Sequence, residues 1–398
     1  MRVLVATHNY PRFSGDRAGA FVARLAEAAA RAGHDVRVVA PHAPGSPVRE
    51  RVGGVDVVRF RYAPDRWERV AYRGDLHRQR ASSLLGAFGI PAFLLAFRHA
   101  LRREVRSFGP DVVHAHWWFP AGWLAARAGV PVVVTLHGSD VRLLDRGPLV
   151  RRLARGVLSR AAAVTTVSRF LADDLAAALP GLATPVTVTP MPVDAEHFAM
   201  GKATPKAIPP RVLYAGNLVP SKGVDVLLRA AAILRDNGTS FRLKVLGEGP
   251  ASVELRQLSA ELGIEDLVEW APFVTQDAMP AEYGASTVTV LPSRGKAEGL
   301  GLILVEALLA GSAVVGSPAG GIPEVVRPME TGLIARDGDA ADLAEQIGRL
   351  LNDAPLLERL ASRGESMVRS TFAPEAAARR VVELYERVSR RDARSGAG

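Results

Sequence analysis

Short runs of β-branched and aliphatic residues recur along the chain, separated by longer stretches whose apolar positions repeat every three or four residues. In the first half the runs read RVLVATH, DVRVVAP, VDVVRF, DVVHAHW, VPVVVTLHG, AAVTTVS and VTVTPMPVD. Few of them alternate cleanly between apolar and polar. Such runs suit parallel strands buried on both faces. The stretch between the first two, GAFVARLAEAAARAG (Gly19–Gly33), has helical spacing and ends on a glycine, a helix-stop signal. Strand and helix in turn describe a βαβ succession and a doubly wound sheet.

The pattern then starts over. A Pro-rich segment, Lys202–Pro210, leads into RVLYAGNL, followed by RLKVLGEGP, LVEWAPF, STVTVLPS, SAVVGSP and GLIAR. The expected fold class is α/β: two Rossmann-like domains facing each other across a cleft. An N-terminal domain is expected over 1–200 and a C-terminal domain over 201–375. Residues 376–398 are expected to form an amphipathic helix, free to pack back on the first domain, and a disordered tail, DARSGAG. In open α/β sheets ligands sit beyond the carboxyl ends of the strands, so the strand-to-helix loops are where chemistry is sought.

Composition narrows the class. The 398 residues suffice for two cores, and with no cysteine there is neither disulfide nor thiolate metal site. The longest apolar patch, Leu84–Phe97, is too short to span a bilayer and contains a proline. The start of the chain reads as a strand and not as a leader, so a cytoplasmic protein is expected. Charge is lopsided: residues 1–198 carry 27 Arg, no Lys and 16 acids, net +11, while the rest nets −2. Two readings stay open, codon-driven arginine usage and an anionic partner.

The most informative stretch is EGLGLILVEALLAG, Glu298–Gly311. It follows a strand and reads as a loop-to-helix junction, with Glu298 before the helix and Glu306 about a turn and a half inside it. Amides at a helix start attract phosphate, and glycines let it approach the backbone. A diphosphate on the amides of Gly299, Leu300, Gly301 and Leu302 would have a carboxylate on either side, one for sugar hydroxyls and one for a ribose. A capping glutamate and a surface glutamate explain the spacing equally well. In YAGNLVPSKG, Lys222 is a compact cation suited to a diphosphate, or simply a solvated loop lysine.

Other loops carry weaker signals. VLGEGPAS has Gly-x-Gly but no third glycine, which argues against a dinucleotide. TLHGSD delivers His137 and Asp140 beyond a strand; His137 suits a sugar hydroxyl or a leaving phosphate, and equally a satisfied core position. His114 and His116 share one strand face, and with Asp140 they resemble a metal set, yet no H-E-x-x-H and no cysteine supports one. Trp117 and Trp118 are read either as a stacking wall for an acceptor or as core. After the first strand, Gly15 and Gly19 permit a close loop at a helix start, and Arg12 and Arg17 add charge.

Taken together these motifs resemble the retaining glycosyltransferases of family 4, with the GT-B fold, over about residues 1–385. The most specific part is Glu298-x7-Glu306 within PSRGKAEGLGLILVEALLAGSAVVGSPAGGIPEVV; GNLVPSKG, GEGP and the VD and HF of MPVDAEHF support it. The resemblance implies roles. Glu298 would bind donor-sugar hydroxyls and Glu306 the ribose. Lys222 and the amides around Leu300 and Gly301 would hold the diphosphate, and Phe273 and Val274 the nucleobase. His137 would sit near the sugar, and Gly19 would touch the donor phosphate from the N-terminal domain. Asn217 stands where many members carry arginine, so Arg294 or Lys296 is a candidate for the second cation, and Met191-Pro192 replaces the usual Asn-Gly.

The expected function is transfer of a sugar from an NDP-sugar, UDP or GDP foremost, to a hydroxyl with retention. Lys222 and the helix amides would stabilise the leaving group without a metal, so neither metal nor other cofactor is expected. His137, Lys222 and Glu298 are the expected catalytic residues, and His116, Trp117, Trp118 and Asp140 the acceptor-side candidates. The basic first half, with the segment Leu84–Phe108, suggests an anionic membrane face and a lipid-linked saccharide acceptor for envelope or exopolysaccharide synthesis. A small soluble acceptor, a sugar-nucleotide epimerase and a non-catalytic binder are the alternatives. No nucleic-acid partner is expected.

Overall fold

The computed structural model describes residues 1–16, 18–68, 70–72 and 84–395. Its contacts divide the chain into two compact units. The first is Met1–Pro192 together with the C-terminal segment from Pro374; the second is Val193–Ala373.

The first unit holds an eight-stranded sheet: β1 (Arg2–Ala6), β2 (Asp35–Pro41), β3 (Arg49–Val52), β4 (Val55–Phe60), β5 (Val112–His116), β6 (Val132–Leu136), β7 (Ala163–Thr166) and β8 (Val186–Val188). They lie in the order β3-β4-β2-β1-β5-β6-β7-β8. All pairs are parallel except β3 with β4. The inner strands are buried end to end, as the unbroken apolar runs require. β3 escaped the sequence reading. Its residues, RERV, are mostly exposed, and only a hairpin through Gly53-Gly54 makes them an edge strand.

The second sheet contains β9 (Arg211–Ala215), β10 (Arg242–Leu246), β11 (Val268–Ala271), β12 (Val288–Leu291), β13 (Ala313–Gly316) and β14 (Leu333–Ile334), all parallel, in the order β11-β10-β9-β12-β13-β14. This is a doubly wound order, and strand progression reverses between β9 and β12. A crevice opens at such a reversal beyond the carboxyl ends of the strands. In the first sheet the corresponding point lies between β1 and β5.

Three expectations shift. The chain leaves the first unit at Pro192 and not near residue 200. The Pro-rich segment read as a linker belongs to the second unit, where Lys202 pairs with Glu365 and Gly201 packs against the Pro280 backbone. The last helix runs Pro374–Ser395, so DARS of the expected disordered tail is helical, and the final three residues lie outside the described residues. That helix is part of the first unit. Its buried Tyr385 hydroxyl bonds His114 Nδ1 on β5 at 2.6 Å. Leu84–Phe108 forms one 25-residue helix that keeps Pro91 within it. Its face of Phe93, Phe97, Leu101 and Phe108 is buried, with Phe60 stacked on Phe97 at 4.7 Å. No helix among the described residues is long and apolar enough to cross a membrane.

Candidate active site

The loops that leave β9 and β12 flank the reversal point of the second sheet. The β9 loop ends at Gly223, left-handed at φ 69°, which starts the helix Val224–Asp236. A Cβ there would lie 1.9 Å from the Pro292 carbonyl oxygen of the β12 loop. Only glycine lets the loops come this close. The contact brings Lys222 to Glu298: its ammonium pairs with Glu298 Oε1, and both side chains are largely buried. Ser293 donates to the same oxygen at 2.7 Å. Charge-assisted bonds of this kind hold a carboxylate in a fixed orientation.

Glu298 is supported from below. The β13 loop carries Gly320 and Gly321; a Cβ would stand 1.9 Å from Glu298 O at Gly320 and 2.4 Å from Gly299 O at Gly321. The Gly321 amide donates to Glu298 O at 3.3 Å. Gly301, at φ 82°, then opens the helix Leu302–Leu309. The first amides of that helix have no carbonyl within it to bond. Glu306 lies half-buried in the second turn, and Tyr283 donates its hydroxyl to Glu306 Oε2 at 2.9 Å. Tyr283, Ser293, Gly320 and Gly321 were missed by sequence reasoning. Tyr283 lies in a separate helix, Met279–Ala285, and no local spacing ties it to Glu306.

The remaining predicted donor residues line the same edge of the sheet. Gly247 follows β10 and lies against the Gly216 carbonyl, and Phe273 Cζ comes within 3.5 Å of the position of a Gly247 Cβ. Val274 adjoins it, half-buried. From β11 inward, the edge therefore presents an aromatic ring, a glycine loop, a cation and two carboxylates. Asn217 is exposed, and its carbonyl accepts from the Tyr214 hydroxyl at 2.9 Å. Arg294, offered as a second cation, is engaged by Asp225 Oδ2 at 2.6 Å. That arginine braces the loop as it stands.

In the first unit, Gly19 is left-handed, φ 63°, and a Cβ would fall 2.2 Å from Asn9 O, so the β1 loop needs glycine there. Arg12 is tied to Asp16, and Arg17 lies outside the described residues. His137 Nε2 meets His116 Nδ1 at 2.9 Å. Its ring is flanked by Trp117 at 4.3 Å and Phe21 at 4.9 Å. Burial, then the neighbouring histidines, holds the imidazoles of His116 and His137 well below their ordinary value, so both rings are neutral near pH 7.

The acceptor-side candidates are interior groups. Trp117 and Trp118 are buried, at 7% and 4% exposure, and Trp118 Nε1 donates to Asp140 O at 2.9 Å. Of the two readings of this pair, the packed one is observed; a side chain with so little free surface offers no stacking wall. Trp117 holds its place with a left-handed backbone, φ 68°, a strained state for such a residue. Asp140 is buried and accepts from the amides of His137, Gly138 and Trp118 at 3.0, 3.1 and 3.3 Å. It holds the loop that carries His137. Burial raises its carboxyl to about 6 despite those bonds. His116 faces two imidazoles, not an opening.

Comparison with known proteins agrees with this fold. Residues 18–197 match the family described as Glycosyltransferase Family 4, and residues 198–367 match Glycosyl transferases group 1. The chain is 31% identical over 393 residues to 2-deoxystreptamine glucosyltransferase of Streptomyces kanamyceticus, covering 92% of this chain and 98% of that protein. It is 32% identical over 333 residues to D-inositol 3-phosphate glycosyltransferase of Streptomyces bingchenggensis, 76% and 72% of the two chains. Among solved structures, sucrose-phosphate synthase from Thermosynechococcus elongatus superposes with a TM-score of 0.77 at 22% identity, covering 98% of this chain and 99% of that one. HepE of Anabaena, in complex with UDP and glucose, gives 0.69 at 19% identity over 97% and 99%. The chain belongs to the family 4 glycosyltransferases and has their GT-B fold.

Proposed function

We propose that this glycosyltransferase takes a sugar from a nucleoside diphosphate sugar, UDP or GDP, and transfers it to a hydroxyl with retention at the anomeric carbon. The observation that carries this reading is the Lys222–Glu298 pair at the sheet reversal, with Glu306 a turn further on. A cation and a row of helix amides suit a diphosphate, and a carboxylate on each side suits the diols of sugar and ribose. As the glycosidic bond breaks, negative charge grows on the leaving phosphate, where Lys222 and the amides of Gly299–Leu302 stabilise it. The acceptor oxygen bonds to the anomeric carbon from the same face, and its proton passes to the leaving phosphate oxygen. Glu298 holds sugar hydroxyls and is not the nucleophile. Neutral His137 would offer the sugar a hydrogen bond and no charge. The reading uses no metal ion and no other cofactor.

For the acceptor, the net +11 of residues 1–198 supports a lipid-linked saccharide. A second reading, a small soluble polyol, is supported by relatives named for 2-deoxystreptamine and inositol 3-phosphate. The test begins with thermal stability against UDP-, GDP-, ADP- and dTDP-sugars. A donor at a hundred times its dissociation constant should add about 2.7 kcal/mol. The shift should appear with one class of base and vanish in Glu306→Ala. No shift with any donor would defeat the reading. Incubation of the responding donor with polyols or with lipid extracts then separates the two acceptors, and release of an altered sugar with no acceptor present would point to an epimerase.

A further inference from the structure

Two adjoining surface grooves of the first unit, of about 440 and 300 Å³, share Trp123 and Arg127 in their walls. The first is lined along the helix Leu84–Phe108 by Arg98, Arg102 and Arg106; the second, along the helix Pro148–Leu158, by Arg152 and by Arg160 just beyond it. No aspartate or glutamate lines either groove. Several arginines elsewhere in this unit are matched, such as Arg12 with Asp16, Arg37 with Glu104, Arg49 with Asp56 and Arg59 with Glu50. None of the six groove arginines forms an ion pair among the described residues.

The same surface exposes large apolar side chains. Leu149 is 69% exposed and Leu153 52%, one turn apart on the outer face of Pro148–Leu158, and Trp123 is 41% exposed between the two grooves. Leu95, 65% exposed, continues the row below Arg98. A soluble polyanion would be served by the arginines alone and gains nothing from exposed leucines. A bilayer with anionic headgroups uses both: guanidinium groups reach the phosphates, and leucine and tryptophan enter the acyl boundary.

We infer that this face, the outer side of Leu84–Phe108 with Trp123 and Pro148–Leu158, docks on an anionic lipid bilayer. The segment is the one whose sequence suggested a membrane face, but with its polarity reversed. Its long apolar stripe is spent on the core. The membrane side is its arginine row, and the inserting groups come from Trp123 and Pro148–Leu158. The inference stands apart from the donor reading, because vesicle binding is measured without sugar transfer.

The test is sedimentation of the full chain with vesicles of phosphatidylcholine alone or mixed equally with phosphatidylglycerol, at low and at physiological salt. Mixed vesicles should carry the protein down, and phosphatidylcholine alone should leave it in solution. Two variants separate the contributions: Leu149→Ser with Leu153→Ser, and Arg98→Gln with Arg102→Gln and Arg127→Gln. All five positions are exposed, and unchanged circular dichroism melting would show both variants folded. Each should weaken binding by about tenfold or more. Three results would overturn the inference. One is no sedimentation of the parent protein with the mixed vesicles. Another is equal binding to both lipid compositions. The third is loss in the arginine variant with none in the leucine variant, which would mark a surface for a soluble polyanion.

Discussion

Lys222 and Glu298 pair across two loops that lie 76 positions apart in the chain. Each of these loops follows one of the two strands at the sheet reversal, so the pair ties the halves of the crevice together. If Lys222 meets the leaving phosphate, its contribution is made as charge develops. Lys222→Met should then lower kcat by about 10²- to 10³-fold, the loss typical of one preorganised charge stabiliser. KM for the donor should change much less. Steady-state kinetics with the cognate donor measures this, and an unchanged kcat would remove Lys222 from the reaction.

Tyr283 has no exposed surface, and its hydroxyl reaches Glu306. Tyr283→Phe keeps the ring and removes only that donor. A hydrogen bond to a charged group contributes about 1.5–3 kcal/mol. The variant should therefore melt lower, and it should bind donor several-fold more weakly in calorimetric titration, because Glu306 loses its orientation. A variant that melts lower with intact donor affinity would limit Tyr283 to the fold.

Gly223 is where fold and site are hardest to separate. Its left-handed backbone and its approach to Pro292 O both exclude a side chain. Gly338 supplies the control: it is also left-handed, φ 71°, but nothing lies within 4 Å of its Cβ position. Gly338→Ala should cost about 1 kcal/mol from backbone strain alone. Gly223→Ala must in addition push apart the loops carrying Lys222 and Glu298. It should lose more stability and most of its donor-induced thermal shift, both read in one melting experiment.

Much of this was legible in the sequence because it is local. Unbroken Val and Ile runs marked the buried parallel strands, and Glu298-x7-Glu306 spans a single loop and helix. Most of the supports were not legible, because they come from elsewhere in the chain. Tyr283 and the Gly320-Gly321 turn reach Glu306 and Glu298 through sheet topology, and no spacing predicts that; Ser293 is local, five positions before Glu298, but a loop serine carries no signal of its partner. The tryptophans stayed undecided for a different reason. A Trp-Trp pair beyond a strand looks the same whether it faces a ligand or the core, and only its burial and the partners of its ring nitrogens decide. Leu84–Phe108 shows the same ambiguity for a whole helix, since an amphipathic pattern does not say which face meets the protein.

The buried histidines make acid stability the last test. Burial pushes His114 down to about 3, and His116 and His137 lie well below 6.5. A depressed histidine stabilises the fold fully above its unfolded value of about 6.5, and that contribution is lost as pH falls toward the folded value. Asp140 acts the other way. Raised to about 6, it holds its proton in the folded state while the unfolded chain releases it, so its contribution is present below about 4 and lost as pH rises through 6. Below about pH 6.5 unfolding therefore takes up protons on these histidines, and Asp140 opposes them by releasing one. The histidines outnumber Asp140, so stability should fall as pH is lowered from about 6.5, and the carboxylates held low by their partners, Asp16, Asp56, Asp342 and Glu365, add to the loss at lower pH. Four of the five tryptophans lie in the first unit, so urea unfolding followed by tryptophan fluorescence reports mainly on the unit that holds these groups. His114→Gln removes one of the three histidine protons and should make the fall with pH shallower, whatever it does to stability at neutral pH. A slope unchanged in that variant would mean that the stack of His114, His116 and His137 does not set the acid sensitivity.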